Sequence, residues 1–260
     1  MKHIFTIFTF LFFATVTFAQ TSVMPIVSGS VVVGGVQNGK WLTAKQTVPL
    51  LKNDLDLFLI SQKGLQKTVI RAKKGEDAEF CDETRMIDFG KEIYSIAVGS
   101  NISWNSFPRN PKIIAKTDKT YQKIVVDFLK TKRIANPKIK ITQIFRIDLD
   151  GDGTEEVLIT ANNYRREIYE SPSAGDYSFA LLRKIVNGKP NNFLIDGEFF
   201  PKRDNSTIPT TLEIDLIADL NGDGKMEVWL DGAYYEGNSS LIYELNKDRL
   251  TKVLEMGCGV

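Results

Sequence analysis

Apolar positions along this chain recur two apart or in short unbroken runs, which predicts strands over most of its length. Residues 30–36, Ser-Val-Val-Val-Gly-Gly-Val, read as a strand ending at Asn38-Gly39, a hairpin turn signal before Lys40-Trp41-Leu42. Residues 54–60 alternate polar and apolar, and Gly64 separates them from residues 65–72 as a second hairpin. Residues 93–98 and Ile113-Ile114 are further strand candidates. One stretch has the helical period: Tyr121, Ile124, Val125 and Phe128 fall at i, i+3, i+4 and i+7. Thr117 or Asp118 is its candidate N-cap, Lys130, Lys132 and Arg133 suit the negative end of its dipole, and Asn136-Pro137 stops it. From Lys138 onward the pattern is strand-rich again, with turns at Asn187-Gly188 and near Asn246-Lys247-Asp248. The segment from Ser103 to Pro111 reads as a loop anchored by Trp104 and Phe107, either buried or exposed as a sugar- or peptide-binding lip. Burial is the expectation, because cores absorb much aromatic area.

Two acidic loops interrupt the C-terminal strands in the same register. The first runs Asp148-Leu149-Asp150-Gly151-Asp152-Gly153-Thr154-Glu155-Glu156, and the second Asp219-Leu220-Asn221-Gly222-Asp223-Gly224-Lys225-Met226-Glu227. Ca²⁺ takes about six to eight oxygens, and a tight loop can aim the side chains of positions 1, 3 and 5 at one point. Those positions are Asp148, Asp150 and Asp152 in one loop and Asp219, Asn221 and Asp223 in the other. Gly153 and Gly224 stand at position 6, where the chain turns sharply, and Thr154 and Lys225 at position 7 offer a backbone carbonyl. An EF-hand would place a glutamate at position 12 and helices on either side, but position 12 is Ile159 or Leu230 and the flanks are strand-like.

The pattern, followed by an apolar strand, resembles the FG-GAP/VCBS type of calcium-binding repeat of integrin-like β-propellers and secreted bacterial proteins. The resemblance covers the two loops and their flanking strands. Carried over residue by residue, it implies one Ca²⁺ site at Asp148, Asp150, Asp152, Thr154 and Glu156, and a second at Asp219, Asn221, Asp223, Lys225 and Glu227. Neither loop has the family's Phe-Gly before it or Gly-Ala-Pro after it, and position 9 is Glu where the family usually has Asp. The alternative is an Asp/Gly-rich turn without metal. Charge alone favours the first loop, since the second has neutral Asn221 at position 3 and Lys225 nearby. If each loop joins antiparallel strands, Ile147 should neighbour Val157 and Ala218 should neighbour Val228. Val157→Asp should then cost several kcal/mol.

The fold expected from these signals is mainly β: antiparallel sheets resembling incomplete β-propeller blades, with one amphipathic helix. Each calcium hairpin is followed by a second hairpin, giving two units of about four strands. Two blades cannot close a ring, so the N-terminal β region and the helix should cover the open faces. The expected organisation is a signal peptide at residues 1–19, a β-rich region at 20–116, and the helix with both loops at 117–260.

The N-terminal segment carries Lys2, a short apolar stretch and small residues before a cut after Ala19, the features of a secretory signal peptide. The stretch is shorter than the ~20 residues of a membrane span. With no Cys at the cut, the mature protein is expected to be secreted or periplasmic, without a lipid anchor or a membrane span. The single histidine, His3, leaves with the leader, so histidine-based triads and the usual histidine metal sites are excluded. Losing Lys2 turns 33 Lys+Arg into 32, against 32 Asp+Glu, so net charge gives no pull toward nucleic acid. Cys81 and Cys258 are an even pair in an oxidising compartment, where bridging is the expectation and two buried thiols the alternative.

The functional expectation is a calcium-stabilised secreted β-protein, a binding or structural module whose partner is an unknown protein or glycan. Two other readings stand beside it. One is a carboxylate-dependent hydrolase such as a glycosidase, with Glu198, Glu213 or Asp215 as candidate acids. The other is a secreted inhibitor or partner protein using the Ser103–Pro111 loop. No catalytic motif is present to make an enzyme the first reading.

Overall fold

The structure is a computed structural model that describes residues 22–81, 83–164 and 171–259. The leader and part of the insertion after Tyr164 lie outside the described residues. The chain is mainly β with antiparallel pairing throughout, as its alternation predicts.

The N-terminal half contributes β1 (Met24–Ser28), β2 (Val31–Gln37), β3 (Lys40–Thr43), the short helix α1 (Ala44–Thr47), β4 (Asp54–Ser61), β5 (Gly64–Asp77), β6 (Arg85–Asp88) and β7 (Ile96–Gly99). Both expected hairpins form, with Asn38 and Gly39 at positive φ in the first turn. The pairings run β1-β7-β4-β5-β6-β2, and β2 pairs back to β1, so six strands close into a ring. Closure between β2 and β6 rests on Val31 opposite Met86, supported by the Thr84 hydroxyl donating to the Val32 carbonyl. Alternation then sorts the side chains. Val27, Val32, Leu57, Ile87 and Ala97 fill the inside, and Ile26, Val33, Ile60 and Val98 face outward.

The second half begins with β8 (Lys112–Ile113) and the helix α2 (Lys119–Thr131), capped by the Asp118 carboxylate accepting from the Thr120 and Tyr121 amides. It continues with β9 (Ile141–Ile147), β10 (Glu156–Asn162), β11 (Asp176–Val186), β12 (Lys189–Phe200), β13 (Thr211–Ala218), β14 (Glu227–Tyr234), β15 (Gly237–Asn246) and β16 (Arg249–Gly259). These make two meanders, β12-β11-β10-β9 with β8 on its edge and β13-β14-β15-β16. Each acidic loop connects the first two strands of its meander.

The parts stack in layers. Helix α2 packs through Val125, Phe128 and Leu129 on Ile144, Ile159, Phe179 and Leu181, one face of the first meander. The other face, with Ile147, Leu158 and Leu182, meets Ile217, Val228 and Leu230 of the second meander. The far side of the second meander, including fully buried Trp229, meets the outside of the ring. Because β10 and β14 are covered on both faces, they read in the sequence as continuous apolar runs. Cys81 and Cys258 are bridged, fastening the end of β16 to the ring, and the Gly259 amide donates to the Phe80 carbonyl beside them.

The register departs from expectation by one residue. Ile147 pairs with Glu156 and Ala218 with Glu227, so Val157 and Val228 stand one step further along. The cause is that the position-9 glutamate is the first residue of the outgoing strand, held there by a hydrogen bond back into the loop.

Candidate metal centre

The two loops have the same internal wiring. The Asp148 carboxylate accepts from the Gly151 and Gly153 amides, and the Asp219 carboxylate from the Gly222 and Gly224 amides. Position 3 accepts from position 5 in both, Asp150 from the Asp152 amide and Asn221 from the Asp223 amide. Position 5 accepts from position 7, Asp152 from the Thr154 amide and Asp223 from the Lys225 amide. Glu156 and Glu227 each accept from the amide of position 2, Leu149 at 2.9 Å and Leu220 at 2.7 Å. Positive φ is used at positions 4 and 6, Gly151 with Gly153 and Gly222 with Gly224, whereas the sequence pattern singled out only position 6. Every proposed side-chain ligand therefore belongs to its loop, including the glutamates.

The surroundings of the two loops differ. In the first, Gly151 to Thr154 are exposed, and Asp148, Asp150 and Glu156 each place a carboxylate oxygen within 4.8 Å of the others. Lys184 of β11, only 6% exposed, inserts its ammonium into that group, donating to Asp150 Oδ2 at 2.9 Å and Glu156 Oε1 at 2.7 Å. Burial alone would push the Lys184 pKa down, but the two carboxylates outweigh it and hold it up at about 12. Glu155 turns away from the loop and pairs with Lys112 and Arg146.

In the second loop Asp219, Asn221 and Glu227 are all buried. Glu227 is 1% exposed, and its Oε1 has no hydrogen-bond partner. Burial raises its pKa well above the usual carboxylate range, and the charges of Asp219, Asp223 and Glu244 push it the same way against the Leu220 amide. Asp219 is also pushed up by burial, against the Gly222 and Gly224 amides. The only ammonium bonded to this loop among the described residues is that of Lys225, 3.7 Å from Asp223 Oδ2 and 40% exposed at its side chain.

The Ser103–Pro111 segment lies across both loops. Trp104 and Phe107 pack into the layer between ring and second meander, as burial of the aromatics requires. Trp104 Nε1 donates to the Asp219 carbonyl, and its ring lies so close to Gly222 that an added Cβ would sit 2.9 Å from it. Arg109 donates to the Asp148 and Leu149 carbonyls of the first loop and the Gly224 carbonyl of the second. The Met226 amide adds a direct bond to the Leu149 carbonyl. The two loops, far apart in sequence, are therefore neighbours joined through one guanidinium. Lys184 and Arg109 were not among the candidate residues. A lysine near the end of an apolar strand looks solvent-facing until the register puts it beside Glu156.

The acids named for hydrolysis do not converge on this centre. Glu198 accepts from the Tyr164 hydroxyl at 3.1 Å and the Thr210 amide at 3.3 Å, and burial raises its pKa. Glu213 sits opposite Asp231 in the β13–β14 register, and Asp215 is the unpaired residue of the bulge between Ile214 and Leu216. Asp231 is the more perturbed member, pushed up to about 6 by burial, with Asp215 and Glu213 adding to it and Trp229 Nε1 and the Ser240 hydroxyl opposing. A carboxyl that binds its proton more tightly when folded contributes stability below the unfolded pKa near 4, and that contribution is lost as pH rises through about 6. Asp231→Asn should therefore raise the unfolding free energy at pH 7 by about 1–2 kcal/mol, allowing for partial exposure, and gain nothing at pH 4. Urea melts at the two pH values measure it, and an equal change at both would remove Asp231 as the cause.

Compared with known proteins, the chain matches no family model, no curated protein and no solved structure. Among the described residues no helix is long and apolar enough to cross a membrane.

Proposed function

We propose that the mature chain is a secreted or periplasmic β-protein of the FG-GAP/VCBS kind, stabilised by Ca²⁺ through its Asp-Gly loops and serving as a binding or structural module for a protein or glycan. The observation that carries this reading is Glu227: a carboxylate 1% exposed, with one oxygen bonded to the loop backbone and the other without a partner, beside two aspartates. Ionised without a cation, a carboxylate buried in this way would cost several kcal/mol, and a cation shared with Asp219 and Asp223 would offset that cost and favour the ionised form. The donor set fits a hard divalent ion, with carboxylates, an amide oxygen at Asn221 and a carbonyl at position 7. Bound there, the ion would neutralise the acids and cross-link the ends of β13 and β14. No step of covalent chemistry is required of the site.

Extracellular calcium modules bind at roughly 10⁻⁴ to 10⁻³ M, so about 10 mM Ca²⁺ should add ~1.4–2.7 kcal/mol to the folded state. For a chain of this size that is a rise of about 3–10 °C in Tm relative to the same protein in EGTA. A thermal melt that does not move between the two conditions would remove calcium from the proposal.

A further inference from the structure

The β-pairings place one residue of the third strand of each meander beside the position-9 glutamate. In the first, Val157 lies opposite Arg183, so the next pair is Glu156 with Lys184. In the second, Val228 lies opposite Tyr243, so the next pair is Glu227 with Glu244. The same structural position thus holds an ammonium in one unit and a carboxylate in the other. Lys184 donates to the position-3 and position-9 carboxylates, the oxygens a calcium ion would need. Glu244 instead accepts from Trp41 Nε1 of β3 at 2.7 Å and brings no cation.

Resting on the reading of these loops as calcium loops, we infer that the chain fills its first loop with its own Lys184 ammonium and that only the second loop takes Ca²⁺. The ion there is held by Asp219, Asn221, Asp223, the Lys225 carbonyl and Glu227, with the partnerless Glu227 Oε1 as its buried ligand. A tethered ammonium needs no binding entropy and is always present, so free Ca²⁺ at millimolar concentration must displace a charge already bonded to two carboxylates. Among the described residues the second loop has no such competitor, because the Lys225–Asp223 contact is long, exposed and correspondingly weak. The convergence of the first loop's acids follows from the ammonium between them, and the order of affinities expected from loop charge alone is inverted.

The test is calorimetric titration of the mature chain with Ca²⁺. One equivalent is expected. Glu227→Gln, which removes the unpaired charge and should fold at least as well, is expected to weaken binding more than tenfold and by more than Asp150→Asn does. Asn221→Asp should tighten it several-fold, and Lys184→Met should expose a second equivalent. Two equivalents in the wild type, or binding that survives Glu227→Gln while Asp150→Asn abolishes it, overturns the division between the loops and leaves the calcium reading standing. No heat in the wild type or any variant, with folding verified by circular dichroism, overturns both.

Discussion

Ile159→Asp should cost about 5 kcal/mol or more, enough to leave most of the chain unfolded at 37 °C. Ile159 is fully buried, paired with Ile144 on one side and Leu181 on the other, and packed beneath helix α2. The carboxylate would lose the hydration of its charge, with three apolar elements around it and no cation. Ile159→Val, which deletes one methylene from the same place, should cost only about 1 kcal/mol. Urea unfolding of the two variants measures the contrast, and an Asp variant within 1 kcal/mol of the Val variant would mean that β10 is not sandwiched between helix and second meander. Val157→Asp, the substitution the sequence first suggests, is a milder probe. Val157 has Arg146 and Arg183 as its cross-strand neighbours, and either guanidinium can receive the new charge.

Removing the disulfide is the second large perturbation. Cys81 and Cys258 are 177 residues apart in a chain of 260, so the bridge closes about two-thirds of the chain, from β6 to β16, into one loop. Loop-closure entropy for such a span is worth about 5 kcal/mol, and native bridges lost from natural proteins typically cost ~2–5 kcal/mol. Cys81→Ser with Cys258→Ser, or reduction of the wild type, should lower the urea midpoint accordingly. The loss should appear in the ring and β16 first, since hydrogen exchange there reports the local tie, and unchanged stability on reduction would show that the bridge constrains nothing the fold does not already hold.

Several parts of this architecture were readable from residue pattern because they are local. The hairpin turns, the cap at Asp118 and the helical face from Tyr121 to Phe128 depend on residues within a few positions of one another. The two tight acidic turns were readable for the same reason, since nine consecutive residues specify each of them. What escaped depends on pairings between distant segments. β6, Arg-Met-Ile-Asp, is too short and polar to announce a strand, yet it closes the ring. Lys184 becomes part of the first loop only through the β10–β11 register, and Arg109 only because two loops of different units lie side by side. The one-residue shift at Glu156 and Glu227 was hidden for a subtler reason: a glutamate bonded into its loop also opens a strand, and sequence spacing alone does not say which role sets the register.

The bulges in the two meanders bear on self-association. A sheet edge is a row of unpaired amides and carbonyls that a second copy of a chain can extend, and a local kink with added twist is one way proteins spoil that template. Here the pairing of three outer strands, β12 with β11, β13 with β14 and β16 with β15, is interrupted by a register shift, and β16 is also pinned at Cys258. Six other strands present no such row along most of their length, because the ring returns β2 to β1. Edge-to-edge growth is thus opposed by bent borders in the meanders and by a closed circuit in the ring.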